Sequence, residues 1–310
     1  NLIYFNREIL DIKKLLWDIK KIEIYSDNLK NEKILNFENK KSKFFSILKN
    51  YELYKILNKN LSKNKFCKKI KFKKKLINFN KYNLVINCDH SNYITKKYFN
   101  KKIIKTYNSF AFTSIIEHGK IQNDTAIQIF TRRGPLAFLP LSKYKTSIVY
   151  SFNNYRGKTK IDFNNLINQY NFKYKIEKIH KPEKFQLKSI ILRKYHNNKI
   201  LAFGDILHRI HPLAGQGFNM TIRDIKFLIK IIKNKIDLGL ALDSSVNYEF
   251  QNKLKHKNFI FSNGVDFINS LFNYDRKLKS ELLIKSVKKI GAYSSVNKFF
   301  TKIADKGLMP

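Results

Sequence analysis

The spacing of apolar side chains divides the first half of the chain into helical and strand-like stretches. Apolar residues recur on one side of a helix from Asn1 to about Lys20, which predicts a helix there. Short apolar runs between Asn and Lys residues predict short strands over residues 22–46, and Tyr51–Leu61 again has helical spacing. Residues 84–86 predict a buried parallel strand, and residues 110–152 have the pattern of antiparallel strands.

The second half of the chain continues with the same two patterns. A short amphipathic helix is predicted at Phe163–Tyr170, and residues 185–193 are expected to return the chain to its first domain. The apolar run Ile200–Phe203 predicts the end of another buried strand. A long amphipathic helix is predicted after Gly217, and the chain beyond Asp224 has a helical pattern.

The segment between that strand and that helix has the features of a cofactor-binding turn. Gly204 and Asp205 follow the strand, and Gly215 and Gly217 flank Gln216 just before the helix. Glycines allow the backbone to approach a flat or anionic ligand closely, and the first turn of a helix offers unpaired N–H groups. An ionised Asp accepts hydrogen bonds from hydroxyl groups such as those of a ribityl or ribose chain.

The same segment carries a family resemblance. Residues 204–224 read GDILHRIHPLAGQGFNMTIRD, which resembles the second flavin-binding motif of the FAD-dependent aromatic hydroxylases of ubiquinone biosynthesis, members of the p-hydroxybenzoate hydroxylase fold group. Ile206 and Leu207 stand where that family usually has two small residues. The resemblance implies FAD as the cofactor and a set of cofactor-binding residues, namely Asp89, Gly204, Asp205, Pro212, Gly215, Gln216, Gly217, Phe218 and Asn219.

Two further segments extend the resemblance. Cys88-Asp89-His90 corresponds to the family motif A-D-G-x-x-S, with His90 in the place of Gly. Residues 117–142 resemble the segment that ends in GPLAxLPL, which in the family belongs to the sheet that covers the aromatic substrate. This implies a set of residues on the substrate side of the flavin, namely Gly134, Pro135, Leu136, Phe138 and Pro140. For Leu136 and Phe138, the alternative of ordinary core residues stays open.

The resemblance also implies an architecture. We expect an α/β fold in which a Rossmann-like FAD-binding domain, N-terminally incomplete, is interrupted by a mostly antiparallel β-sheet substrate domain and followed by C-terminal helices. The expected parts are residues 1–105 and 189–240 for the FAD-binding domain, with short strands of the first part joining the substrate domain, 106–188 for the substrate domain and 241–310 for the helices. The ten glycines contain no GxGxxG. We therefore expect the family's first flavin-binding segment to precede Asn1.

Composition adds a competing interpretation. The net charge of +39 is typical of proteins that bind nucleic acid or anionic membranes. Of the 62 basic residues, however, 8 are Arg, and proteins that grip phosphate use Arg for its bidentate geometry. The lysine-rich stretch Lys63–Lys75 fits either a nucleic-acid patch or, as we favour, a solvated strand face. We expect no nucleic-acid partner.

Some residues have simpler interpretations. Cys67 and Cys88 are expected to be small buried residues, since no partner pattern accompanies them. The spacing of Asp205, His208 and His211 is compatible with a metal site, but the Pro and Gly residues nearby predict an irregular turn, so we expect no metal. Asp224 and its neighbour Arg223 are expected either to make surface or domain-interface contacts or to have a functional place. We expect a structural or surface role for the four histidines His118, His180, His196 and His256.

The resemblance implies a function. It is that of an FAD-dependent monooxygenase that hydroxylates a polyprenylated phenol or quinone precursor on the way to ubiquinone, with NADH or NADPH as electron donor and O2 as co-substrate. The flavin would carry the chemistry, so no catalytic side chain is expected. A lipid-tailed substrate implies peripheral contact with the inner face of the cytoplasmic membrane and, by extension, with other ubiquinone-biosynthesis enzymes. The alternatives are a degenerate, inactive relative and a lysine-rich nucleic-acid- or membrane-binding protein.

Overall fold

The computed structural model describes residues 2–27, 32–38, 43–70, 78–131, 133–153, 161–210 and 216–278. The chain divides into two compact units. The first unit contains Asn1–Asp11, Asn64–Thr106 and Lys188–Leu271, and the second contains Ile12–Lys63 and Tyr107–Leu187.

The described residues contain fourteen strands and six α-helices. The strands are β1 (Trp17–Ile19), β2 (Lys21–Ser26), β3 (Glu32–Glu38), β4 (Phe45–Ile47), β5 (Val85–Asn87), β6 (Lys102–His118), β7 (Thr125–Thr131), β8 (Gly134–Pro140), β9 (Lys145–Asn153), β10 (Ile176–Ile179), β11 (Glu183–Leu192), β12 (His196–Asn197), β13 (Ile200–Ala202) and β14 (His208–Arg209). The helices are α1 (Leu2–Tyr4), α2 (Asn50–Lys63), α3 (Tyr93–Tyr98), α4 (Phe163–Tyr170), α5 (Gln216–Asp237) and α6 (Ser244–Leu278).

The first unit is built on a small sheet in the order β12-β13-β5. Strands β5 and β13 run parallel, with Leu201 opposite Ile86 and Ala202 opposite Asn87. Leu201 and Ala202 are fully buried because α5 and α6 contribute apolar side chains to the same core. That core contains residues from both helices, including Leu228, Ile231, Val246, Phe250 and Leu254.

The second unit is built on a large sheet. Its strands lie in the order β11-β6-β9-β8-β7-β2-β3, with β10 paired to β6. Strand β9 pairs antiparallel with both β6 and β8. The pairs β7–β8 and β2–β3 are also antiparallel, while β2 and β7 run parallel. One face of the sheet packs against α4, whose Phe163 and Ile167 join Leu136, Phe138 and Ile148 in a buried cluster.

Most of the expected elements are confirmed. The helix at Phe163–Tyr170 has the bounds predicted from the pattern, and its N-cap is Asp162, whose side chain accepts a hydrogen bond from the backbone N–H of Asn165. The strands of residues 22–46 and 110–152, the helix at 51–61, the long helix after the glycines and the parallel pairing of residues 84–86 are also confirmed. In that parallel strand, however, Ile86 is 45% exposed, so the expectation of a wholly buried strand was wrong.

The predicted helix from Asn1 to Lys20 was wrong. The structure has α1, a π-helical turn at Phe5–Ile9 and a 3-10 turn at Lys13–Leu15, and the backbone is extended at Leu10 and again at Leu16. The apolar residues that suggested one helical face are divided between the two units, since the boundary falls after Asp11. Ile19 is fully buried in strand β1, and the indole N–H of Trp17 donates to the Asn123 carbonyl at 2.6 Å. These contacts require an extended chain.

The two compact units change over after Thr106 and after Leu187, and the expected division of the chain into parts stays a prediction. Residues 12–63, however, fall in the second unit as a whole, which is more of the N-terminal part than the short strands expected there.

Candidate cofactor-binding site

The carboxyl ends of β5 and β13 bring two acidic residues to the same edge of the small sheet. Strand β5 leads into a loop that contains Asp89, and β13 leads through Phe203 to Asp205. The backbone N–H of Phe203 donates to the Asn87 carbonyl at 2.9 Å, which keeps the two chains together just beyond the paired strands. Ligands of α/β sheets bind at this edge, where parallel strands end.

A hydrogen-bonded network shapes the loop after β5. The Asn87 side chain donates to the hydroxyl of Thr95 at 2.7 Å and accepts from the Asn92 amide at 2.7 Å. The Asn92 side chain caps α3 by accepting from the Thr95 N–H at 2.9 Å. Asp89 is exposed, and its Oδ1 accepts from the hydroxyl and the N–H of Ser91, which lowers the pKa of Asp89. Asp89 is therefore an ionised carboxylate on an ordered loop.

Gly204 and Asp205 form an open turn after β13. Gly204 has φ +64, a conformation that side chains with a Cβ rarely adopt, so the turn requires glycine. No atom lies within 4 Å of the position that a Cβ on Gly204 would take. Asp205 follows in a short 3-10 turn, where its side chain is exposed. The turn thus presents bare backbone and a carboxylate to the space beyond the strand.

The first turn of α5 supplies the third part of the site. The helix begins at Gln216, and Gln216, Gly217 and Asn219 are half-buried while Phe218 is 50% exposed. A Cβ on Gly217 would meet no atom within 4 Å. The first N–H groups of a helix have no partner within the helix, so this end suits a negatively charged or polar ligand.

Pro212 and Gly215, which were also expected to bind the cofactor, lie outside the described residues, as does His211. Among the described residues, no group of three or more His, Cys, Asp or Glu side chains is arranged to hold a metal ion. The metal interpretation grouped His208 with Asp205 as ligands of one ion. In the structure His208 is instead hydrogen-bonded to Asp224.

The bond between His208 and Asp224 ties strand β14 to helix α5. His208 Nε2 lies 2.6 Å from Asp224 Oδ2, and both side chains are only 1% exposed. The Asn258 amide of α6 donates to Asp224 Oδ1 at 3.3 Å. The structure thus corrects the interpretation of Asp224 as a surface or domain-interface residue. This buried carboxylate is closed to water. It joins β14, which precedes residues 211–215 in the sequence, to α5 and α6, which follow them.

Sequence reasoning missed this pair because its partners come from different elements. The signal that would have indicated it is the position of Asp224 on α5. Met220 and Leu228 lie four residues to either side of Asp224, and both are buried, so all three share the inner face of the helix. An acidic residue on such a face requires a buried partner. The neighbouring Arg223 lies over the ring of Phe261 at 4.7 Å, and burial lowers its pKa.

The predicted substrate-side residues lie on β8. Along this strand buried and half-buried residues alternate, and Leu136 and Phe138 point into the cluster that packs against α4. Tyr174 stacks on Phe138 at 5.9 Å, and burial raises the pKa of Tyr174 to about 12. This placement favours the core interpretation for Leu136 and Phe138, and their role toward a substrate stays a prediction.

The other residues of β8 have different surroundings. Gly134 is required by close packing, since a Cβ there would lie 1.7 Å from the Ser151 carbonyl oxygen. Pro140 is buried, and Pro135 is half-buried. Pro135, Ala137 and Leu139 share the half-buried face, opposite the α4 cluster. Ala137 and Leu139 share this face with Pro135, but they were not among the expected substrate-side residues.

The solvent exposure of individual residues tests other expectations from the sequence. Cys67 and Cys88 are both exposed, so the interpretation of buried cysteines was wrong. Cys67 lies in an irregular segment, residues 64–70, that is exposed throughout, and Cys88 follows the short strand β5 into an open loop. The strand expected in the lysine-rich stretch is absent from residues 64–70, and residues 71–75 lie outside the described residues. No described helix has the length and apolar character needed to cross a membrane.

The described residues fit an FAD cofactor on three counts. Gly204 and Gly217 leave open space where any other residue would project a Cβ. Asp205 and Asp89 offer exposed carboxylates at the sheet edge, and α5 offers its N–H groups. These are the groups that hydroxyl-bearing and anionic parts of a dinucleotide need.

Comparison with known proteins agrees with this geometry. The FAD binding domain family matches residues 123–237. In solved structures, the fold resembles p-nitrophenol 4-monooxygenase PnpA from Pseudomonas putida DLL-E4, with a TM-score of 0.74 and 10% identity over 98% of this chain and 86% of that one. Klebsiella pneumoniae HpxO complexed with FAD and uric acid gives a TM-score of 0.72 and 9% identity over 100% of this chain and 86% of that one. The fold is that of the FAD-dependent monooxygenases.

The sequence relatives are more specific. The 3-demethoxyubiquinol 3-hydroxylase of Escherichia coli (strain K12) is 32% identical over 162 residues, which cover 48% of this chain and 40% of that protein. The ubiquinone biosynthesis monooxygenase COQ6 of Drosophila melanogaster is 23% identical over 231 residues, which cover 61% of this chain and 48% of that protein. The chain is thus similar in sequence to hydroxylases of ubiquinone biosynthesis, which agrees with the resemblance carried by residues 204–224. It spans less than half the length of these two relatives.

Proposed function

We propose that the protein is an FAD-dependent monooxygenase that hydroxylates the ring of a polyprenylated phenol or quinone precursor in ubiquinone biosynthesis, with NADH or NADPH as electron donor and O2 as co-substrate. The observation that carries the proposal is the open turn at Gly204 and Asp205, which follows β13 at the edge where β5 also ends. Its support from outside the chain is the naming of its relatives as ubiquinone-biosynthesis hydroxylases.

Each part of the site has a role in this proposal. Asp205 accepts hydrogen bonds from hydroxyl groups of the cofactor, and Gly204 lets the cofactor lie against the backbone. The N-terminus of α5 stabilises negative charge on the cofactor by about 0.3–2 kcal/mol. Asp89 adds a second carboxylate from the neighbouring loop. Bound flavin would supply the electron transfer and the activation of O2, so the chain's residues bind, orient and shield.

The substrate class follows from the family and from the chemistry of the large sheet. In the second unit, Ala137 and Leu139 offer a half-buried apolar face suited to an aromatic ring. A polyprenyl tail would keep the substrate in a lipid bilayer, so we propose peripheral attachment to the inner face of the cytoplasmic membrane. Contact with other ubiquinone-biosynthesis enzymes is part of the same proposal.

The test is an oxygenation assay with the full chain. The protein is incubated with FAD, NADH or NADPH, isotopically labelled O2 and a phenol with a short prenyl tail, and the product is analysed by mass spectrometry. We expect one labelled oxygen atom in the product, and its yield should fall in Asp205→Ala but not in Asp237→Ala, which changes an exposed Asp at the end of α5. Unlabelled product, or equal loss in both variants, would contradict the proposal.

A further inference from the structure

The outward face of α2 carries large apolar and aromatic side chains that the second unit leaves uncovered. Tyr51 is 73% exposed, Tyr54 64% and Leu61 54%. They stand three and seven positions apart along the helix, which places them in one stripe. The helix is held by Leu53, which is buried, and by Leu57, which is half-buried and lies between Leu53 and the stripe on a helical projection. The stripe is therefore not needed to pack α2 onto its own unit.

Lysines lie along one side of this stripe. Lys55, Lys59 and Lys63 are all exposed, and α2 contains no arginine. The one acidic residue of the helix is Glu52, which is bonded to Lys49 at 3.0 Å. On a helical projection Glu52 lies away from the stripe, among the lysines and between Lys59 and Lys63. The outer face of α2 thus combines apolar area with a net positive charge, since its single carboxylate is paired with Lys49.

This combination fits the surface of an anionic membrane. Tyr has an apolar ring and a polar tip, so it is stable at the level of lipid headgroups. Lysine side chains lay their methylene stems along apolar surface and direct their ammonium groups to anionic headgroups. A helix with such a face lies in the interface plane and does not span the bilayer.

The alternative partner is single-stranded nucleic acid, which also attracts aromatic and basic side chains. Two features of α2 favour lipid. Leu61 offers burial in acyl chains but no ring on which a base could stack. The cations are all Lys, without the Arg that stacks on bases and binds phosphate with two parallel hydrogen bonds.

We propose that the outer face of α2, formed by Tyr51, Tyr54, Leu61, Lys55 and Lys59, docks the protein on a membrane that contains anionic phospholipid. The site is separate from the cofactor-binding turn. It specifies which surface would make the membrane contact named in the proposed function. Membrane docking is measured without flavin, donor or substrate, so its failure and the failure of the hydroxylase proposal are distinguishable.

The first test isolates the apolar stripe. Flotation of the full chain with vesicles of phosphatidylcholine and phosphatidylglycerol is measured at high salt, where long-range attraction by the protein's net charge is screened. The variant Tyr54→Ser/Leu61→Ser is compared with Leu238→Ser/Leu240→Ser, whose target residues are 72% and 52% exposed. The two pairs are thus matched in exposure, and far-UV circular dichroism checks that each variant is folded.

We expect the α2 variant to lower the vesicle partition coefficient at least about tenfold, because it removes two side chains that lipid would bury. The Leu238/Leu240 control should bind like the unmodified protein. Equal binding by the unmodified protein and the α2 variant, or a larger loss in the control, would overturn the proposal.

The second test isolates the lysines. At low salt, Lys55→Gln/Lys59→Gln should bind the same vesicles about thirtyfold more weakly, since each Lys near an anionic surface contributes about 1 kcal/mol. The control Lys120→Gln/Lys143→Gln removes two exposed lysines elsewhere in the second unit and should have a smaller effect. If the Lys55/Lys59 variant instead loses binding to a single-stranded oligonucleotide and keeps vesicle binding, the partner is nucleic acid and the proposal is wrong.

Discussion

Replacing Asp224 by Ala should destabilise the protein far more than any other loss of one carboxylate from α5. Asp224 accepts from His208 Nε2 at 2.6 Å and from the Asn258 amide at 3.3 Å, and the two members of the His–Asp pair are each 1% exposed. Removal of the carboxylate leaves both donors without their acceptor in a site closed to water. Breaking a buried pair by removing one partner costs about 3–5 kcal/mol.

The assay is urea unfolding followed by far-UV circular dichroism. The matched control is Asp237→Ala, which removes an exposed Asp from the last residue of the same helix and should change the free energy of unfolding by less than about 0.5 kcal/mol. The double variant His208→Ala/Asp224→Ala should show a coupling of about 0.5–3 kcal/mol, because each single change already breaks the same bond. A free energy of unfolding for Asp224→Ala within about 0.5 kcal/mol of the control would refute the reasoning.

Three further predictions concern other positions. Gly134→Ala should destabilise the protein by at least about 2 kcal/mol in urea, because the new Cβ would lie 1.7 Å from the Ser151 carbonyl oxygen. Gly204→Ala should weaken FAD binding measured by fluorescence, since φ is +64 there and the Cβ would enter the open space of the turn. Glu23→Gln should reduce stability at neutral pH by about 1–2 kcal/mol, because the group that accepts the hydrogen bond from Lys33 at 2.7 Å then carries no negative charge.

The Glu23 prediction has a pH dependence. Burial opposes ionisation of Glu23, but the hydrogen bonds that it accepts from Lys33, Lys21 and Tyr25 outweigh burial and lower its pKa from 4.5 to about 2. A depressed folded-state pKa contributes stability that is fully present above the unfolded value and is lost as pH falls toward the folded value. The stability difference between the protein and Glu23→Gln should therefore shrink between pH 4.5 and about 2. An unchanged difference across this range in acid-dependent urea titrations would contradict the assignment.

Controls exist for both glycine variants. Gly119→Ala should be nearly neutral, since the nearest atom to its Cβ is a Glu177 side-chain oxygen at 3.9 Å. Gly239 has φ +66 and open surroundings like Gly204, but lies in the turn after α5. Gly239→Ala should therefore cost stability without weakening FAD binding. If Gly204→Ala and Gly239→Ala reduce FAD binding equally, the effect of Gly204→Ala is general strain rather than contact with the cofactor.

The local pattern of apolar and polar residues was sufficient to predict an element where that element faces a single environment. Helix α4 buries Phe163 and Ile167 against one sheet, so the periodicity of its apolar residues was sufficient to predict both ends. Strand β13 is buried on both sides, which matches its uninterrupted apolar run.

The same pattern failed to predict the structure where residues close in sequence lie in different environments. Phe5 and Ile12 are both buried, but one lies in the first unit and the other in the second, so a shared helical face never forms. The role of Asp224 depends on His208, sixteen residues earlier in another element, and no local pattern contains that contact. The open turn after β13 was predictable because Gly204 and Asp205 are adjacent in sequence, and its role toward the cofactor stays a prediction.

Titration of the purified, folded chain with FAD, followed by flavin fluorescence, tests the central claim most directly. The account predicts saturable binding that weakens about tenfold or more in Asp205→Ala, since a hydrogen bond to a charged group contributes about 1.5–3 kcal/mol, and that is unchanged in Asp237→Ala. No binding by a chain with native circular dichroism, or equal affinity in Asp205→Ala, would contradict the claim that the turn after β13 holds the flavin cofactor.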